Sequence, residues 1–184
     1  MARPLEQSEY TQIISLLQTG FTTHTGNKFR PNEQIALAFQ LQASLGLRIG
    51  DTLKLKVSNF RNGKLEQKEE KTDKLQYRDI NPAISERVKD YALSKGLKPT
   101  DKLFDISTRG IQKQLGIITN YLALENIGTH SFRKMYATWQ YETSGNDIHA
   151  VKELLNHTSV STTQKYIRVS QQRINELSAK ACFL

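Results

Sequence analysis

Along this chain the apolar residues recur mostly at helical spacing. "SEYTQIISLLQTG" places Ile13, Ile14, Leu16 and Leu17 on one face, with Ser8 as the predicted N-cap and Gly20 as the stop. "TTHTGNKFRPNE" reads as a polar loop, and "PNEQIALAFQLQASLG" predicts a second helix with Ile35, Leu37, Ala38 and Leu41 inward, ending near Gly46. "GDTLKLKVSNF" predicts a short helical segment, and Asn62-Gly63 a turn. From Lys64 to Ile80 the pattern changes. "KLEQKEEKTDKLQYRDI" is too polar and irregular for an amphipathic helix, and reads as a solvated hairpin centred on "KTDK" and closed by Asn81-Pro82. Helical spacing returns in "PAISERVKDYALSKG", "STRGIQKQLGIITNYLAL", "SFRKMYATWQYETSG" and "NDIHAVKELLNH", the last capped by Asn146 or Asp147. It recurs in "VSQQRINELSAKACFL", with Ile174, Leu177 and Ala181 on one side. The expected fold class is mainly α with a small antiparallel β-sheet (α+β), without internal repeat or long linker.

Composition narrows the partners. A chain of 184 residues suits one domain, or a domain with a short tail, and can bury a core without staples. A net charge of +8 points to a polyanion, most simply nucleic acid. An anionic membrane surface would also suit that charge, but no apolar run approaches the roughly 18 residues of a spanning helix. "MARPLEQSEY" has no apolar core like that of a signal peptide, and the single cysteine, Cys182, offers neither a disulfide framework nor a cysteine-based zinc site. A cytoplasmic location is the expectation.

Six residues are candidates for chemistry: Arg48, Lys71, His130, Arg133, His157 and Tyr166. Singly, each has an ordinary reading. Arg48 at a helix end complements a dipole, and Lys71 is a solvated turn lysine. His130 caps a helix that it precedes, and Arg133 is a surface cation on the same face. His157 and Tyr166 are core rings with satisfied polar atoms. Their surroundings change the weighing. "LGLRIGDTLKLKVSNF" joins an arginine to a glycine bend and an acid three residues later. "GTHSFRKMYATW" has the form His-x-x-Arg at the head of a helix. "LLNHTSVSTTQKYI" sets a histidine and a tyrosine nine positions apart, with hydroxyl-bearing residues between.

In order and spacing these three stretches resemble the boxes of the tyrosine recombinase (phage integrase) family, over about residues 33 to 168. The resemblance implies that Arg48 and Arg133 are the catalytic arginines, Lys71 the hairpin lysine, His130 and His157 the two histidines, and Tyr166 the nucleophile. Asp51 falls where the family usually carries an acid behind the first arginine, orienting either His130 or Arg48. The implied reaction is DNA strand cleavage and rejoining through a 3′-phosphotyrosyl intermediate, without cofactor or metal. The residue types fit. Guanidinium pairs answer the charge gathering on a phosphodiester's non-bridging oxygens, and His157 adds a hydrogen bond to the same oxygens. A free phenol is only ~0.1% ionised at pH 7, so Tyr166 needs a base, His130, while Lys71 protonates the leaving 5′ oxygen. "TSVSTT" is either a solvated turn or a helix cap that contacts phosphate.

The family resemblance further implies double-stranded DNA as partner, a homo-tetramer on synapsed sites from a monomer in solution, and a bacterial or mobile-element origin. Residues 1–168 form the expected catalytic domain. The family's N-terminal core-binding domain is expected to be absent, which makes the chain either an excised fragment or a naturally minimal recombinase. The tail, 169–184, is exchanged between protomers or packs on its own domain. Two rival activities remain: a type IB topoisomerase, and a DNA-binding regulator on the same scaffold that does not cleave.

Overall fold

The computed structural model describes residues 2–68, 75–167 and 178–179. At its centre lies α2 (Glu33–Leu45), which is apolar almost all round and accordingly buried at Ile35, Ala36, Leu37, Ala38, Phe39, Leu41 and Leu45. The Asn32 side chain caps it by accepting the Ile35 N–H at 3.1 Å, and Gly46 ends it in the left-handed region at φ +64°. It packs between α1 (Gln7–Thr19) and α6 (Thr129–Thr143), with the rings of Phe39 and Phe132 stacked 4.1 Å apart. On α1, Ile13, Ile14 and Leu17 face the core as expected. The cap differs: it is Glu6, whose N–H is accepted by the Glu9 carboxylate at 2.9 Å, and Ser8 lies inside the first turn.

Two small antiparallel sheets flank the helices. One pairs β1 (Phe21–Thr22) with β2 (Lys28–Phe29), inside the stretch expected to be only a loop. The Phe21 ring lies 4.8 Å from Phe29 and 4.4 Å from Tyr121, so an aromatic cluster pays for strands too short to leave a period-2 signal. The other has the order β3 (Phe60–Arg61), β4 (Lys64–Lys68), β5 (Leu75–Asp79). Asn62 and Gly63 join its first two strands with consecutive φ values of +52° and +69°, a conformation that suits a two-residue hairpin. The expected hairpin is β4–β5, with Leu65 opposite Arg78 and Lys68 opposite Leu75. Its turn, including Lys71, lies outside the described residues.

The remaining α-helices among the described residues are α3 (Ile49–Thr52), α4 (Pro82–Ser94), α5 (Thr108–Tyr121), α7 (Ile148–Leu154) and α8 (Val160–Gln164). Pro82 opens α4 behind an Asn81 cap, and Asp147, not Asn146, caps α7 by accepting the N–H groups of His149 and Ala150. Beside the main core, Tyr136, Ala137, Val151 and Leu155 form a second apolar cluster, against which Tyr166 and Ile167 pack. The helix expected at the C-terminus falls almost wholly outside the described residues. No helix among the described residues is long and apolar enough to cross a membrane.

Candidate active site

The three sequence boxes meet where the ends of α2 and α7 approach the first turns of α6. Arg133 leaves α6 pointing inward and is fully buried. It donates to the Gly46 carbonyl at 2.6 Å, the Leu155 carbonyl at 2.7 Å and His157 Nε2 at 3.1 Å. Both carbonyls belong to residues that close helices, where acceptors lack an intrahelical partner and the dipole favours a cation. A charge so deeply placed is tolerated because polar atoms receive it.

His157 follows Asn156, whose φ of +55° turns the chain out of α7. Arginine only donates, so Nε2 of the His157 ring must accept; Nδ1 then carries the hydrogen and donates to Thr163 Oγ1 at 3.0 Å. Burial, then the charges of Arg133 and Arg48, push His157 down to about 4. At neutral pH the ring is neutral and, in this arrangement, holds Arg133 rather than offering a hydrogen to an incoming group.

Arg48 stands at the N-cap of α3, two residues past the Gly46 that ends α2. Its Nη1 lies 3.9 Å from the buried carboxylate of Asp51. The Asp51 carbonyl accepts from Gln67 Nε2 at 2.6 Å, which ties strand β4 to the arginine's helix.

His130 is inside the first turn of α6 rather than before it, and is exposed, whereas Arg133 one turn on is buried. The hydroxyl run is neither a plain solvated turn nor wholly a cap. Ser159 caps α8 by accepting the Thr162 N–H at 3.3 Å, Thr163 holds His157, and the helix carries the chain to Tyr166. The half-buried Tyr166 ring sits edge-on to His157 at 4.7 Å, with the Arg133 guanidinium 5.8 Å from its centre. A cavity of about 600 Å³ opens beside it, lined among others by Thr129, His130, Lys134 and Lys165.

Arg48, Arg133, His157, Tyr166 and Asp51 are thus drawn together, with His130 at the mouth of the adjoining cavity. Sequence reasoning missed Lys134, Thr163 and Arg78. Lys134 donates to the Ala2 carbonyl at 2.6 Å, stands 5.5 Å from the Tyr166 ring centre, and has its pKa lowered by burial. Its place next to Arg133 was the one available signal. Thr163 was legible only as one hydroxyl among several.

The fold is shared with known recombinases. The solved structure of XerH site-specific recombinase bound to palindromic difH substrate, a post-cleavage complex, superposes with a TM-score of 0.75 at 23% identity, over 96% of this chain and 52% of that one. The phage integrase family model matches residues 3–173, and the chain belongs to that family. A "Probable integrase/recombinase YoeC" of Bacillus subtilis is 30% identical over 151 residues, covering 76% of this chain and 80% of that protein. The "Tyrosine recombinase XerC" of Leptospira interrogans is 34% identical over 108 residues, 58% of this chain and 32% of that one. The match therefore spans about a third of that XerC's length.

Proposed function

We propose that the chain is the catalytic domain of a site-specific DNA recombinase that cuts and rejoins strands through a 3′-phosphotyrosyl intermediate. The observation that carries this reading is the seating of the Tyr166 ring against Arg133 and His157, with Arg48 close enough for its charge to depress the same histidine. Four residues from three distant stretches converge, and each suits phosphoryl transfer. Family membership and relatives named as recombinases support it further.

Double-stranded DNA is the substrate, and its scissile phosphate enters beside Tyr166. Arg48 and Arg133 bind the non-bridging oxygens, whose charge rises as the tyrosine oxygen attacks phosphorus. His130 takes the phenolic proton, and Lys71 gives a proton to the 5′ oxygen as its bond to phosphorus breaks. The incoming phosphate anion offsets the two arginines and so favours a His157 hydrogen bond to its oxygens, against the burial that is the larger cause of the low pKa. A 5′-hydroxyl of another strand then attacks the phosphotyrosine and releases Tyr166 without cofactor or metal. The protein acts in the cytoplasm as a tetramer on synapsed sites, with residues 169–184 exchanged between protomers.

A pool of nicked suicide duplexes of randomised sequence tests this. Wild-type protein should retain DNA in a detergent-stable adduct, and Tyr166→Phe should bind the selected duplex yet form none. DNA binding without an adduct in the wild type would leave a non-cleaving regulator as the better account.

A further inference from the structure

A half-buried cation on the hairpin lies outside that chemistry. Arg78, on β5, is opposite Leu65, which is fully buried, so both side chains face the helices. The Arg78 guanidinium donates to the carbonyl of Leu45 and, at 3.0 Å, to that of Leu154. It also reaches Tyr136 Oη at 3.4 Å and lies 5.9 Å from the centre of that ring. Arg133 donates to the next carbonyl along at each place, Gly46 and Leu155. Two arginines, one from the hairpin and one from α6, thus bridge the same pair of helix ends through adjacent acceptors.

We propose that Arg78 is a positioning residue for the cleavage step, fixing the base of the β4–β5 hairpin to the helix ends that hold Arg133. The inference rests on the reading of Lys71 as general acid. Lys71 falls in the turn joining these strands, between the paired residues Lys68 and Leu75. Lys71 is therefore carried on the two strands that Arg78 helps to anchor. Gln67 on the Asp51 carbonyl gives the hairpin a second tie, to the helix behind Arg48. Paired guanidinium contacts hold direction as well as distance, which the compact ammonium of a lysine does not.

The experiment compares two versions of the duplex selected by wild-type protein. One has an ordinary phosphodiester and the other a bridging sulfur in place of the 5′ oxygen. In the first, the new bond from phosphorus to the tyrosine oxygen forms as the bond to the 5′ oxygen breaks, and that oxygen takes a proton from Lys71. In the second a thiolate leaves, and with a thiol pKa of about 8.5 it needs no acid. Arg78→Gln and Arg78→Lys should each slow cleavage of the ordinary duplex about tenfold or more. Both should return to within about threefold of wild type on the sulfur duplex, as should Lys71→Ala; these magnitudes correspond to loss of one positioned group. Equal slowing on both duplexes, or none, with Lys71→Ala rescued, would overturn the inference about Arg78 alone. Failure of the sulfur duplex to rescue Lys71→Ala would overturn the acid reading and this inference with it. Arg78→Lys keeps the comparison available if Arg78→Gln does not fold.

Discussion

His157 shows how one residue's environment is invisible in sequence. The hydroxyl-rich run after it was plain, but only the fold brings Thr163 to one ring nitrogen and Arg133 to the other. The consequence can be measured. The folded pKa of about 4 lies below the ordinary 6.5, so between these values the unfolded chain binds more protons. The associated stability is fully present above pH 6.5 and is lost as pH falls through 4, on the order of 3 kcal/mol at the limit. Urea denaturation at pH 7 and 4.5 should show a larger loss for wild type than for His157→Gln; equal losses would deny His157 that role. Thr163→Val strands the Nδ1 hydrogen and should cost about 1–2 kcal/mol at pH 7, read from the same denaturation curves. Lys134 and Arg78 escaped sequence reading because a lone cation in a helix or strand looks like a solvated one until its partners are known.

At the scale of elements, the long helices were legible because α1, α2 and α4 to α7 bury faces at helical period. The β4–β5 hairpin was legible from the break in that period. The β1–β2 pair was not, being too short for any period to emerge and stabilised by Phe21, Phe29 and Tyr121; the short helix before Tyr166 was legible as one that the hydroxyl run could cap, and Ser159 sets its start. The end of α2 was predicted at Gly46, but the reason it must be glycine is tertiary as well as local. Its φ is +64°, and a Cβ there would overlap the Tyr136 ring. Gly46→Ala should therefore cost about 2–4 kcal/mol, the sum of a left-handed alanine and an overpacked contact. For a chain of this size that lowers Tm by roughly 5–15 °C in calorimetry. A change below about 1 kcal/mol would mean that Tyr136 yields easily. Because Gly46 also supplies a carbonyl to Arg133, the variant should lose cleavage beyond what its lower stability explains.

For the whole molecule, the net charge of +8 and the order of the boxes point to DNA and to the family from the sequence alone. Which helix ends and strands hold the boxes together did not follow, because those contacts join residues far apart in the chain. Binding to random duplex should weaken at least about tenfold between 50 and 200 mM salt, followed by fluorescence anisotropy; a flat response would argue against phosphate contacts. Sedimentation on DNA with and without residues 172–184 checks the proposal that the tail is exchanged; removal should reduce assembly beyond a monomer per site, and unchanged assembly would rule it out. The most direct test of the central claim is mass spectrometry of the peptide from the trapped adduct. The account predicts a nucleotide joined through its 3′ phosphate to Tyr166, in wild type and not in Tyr166→Phe. A phosphate on any other residue, or on a 5′ end, would contradict it.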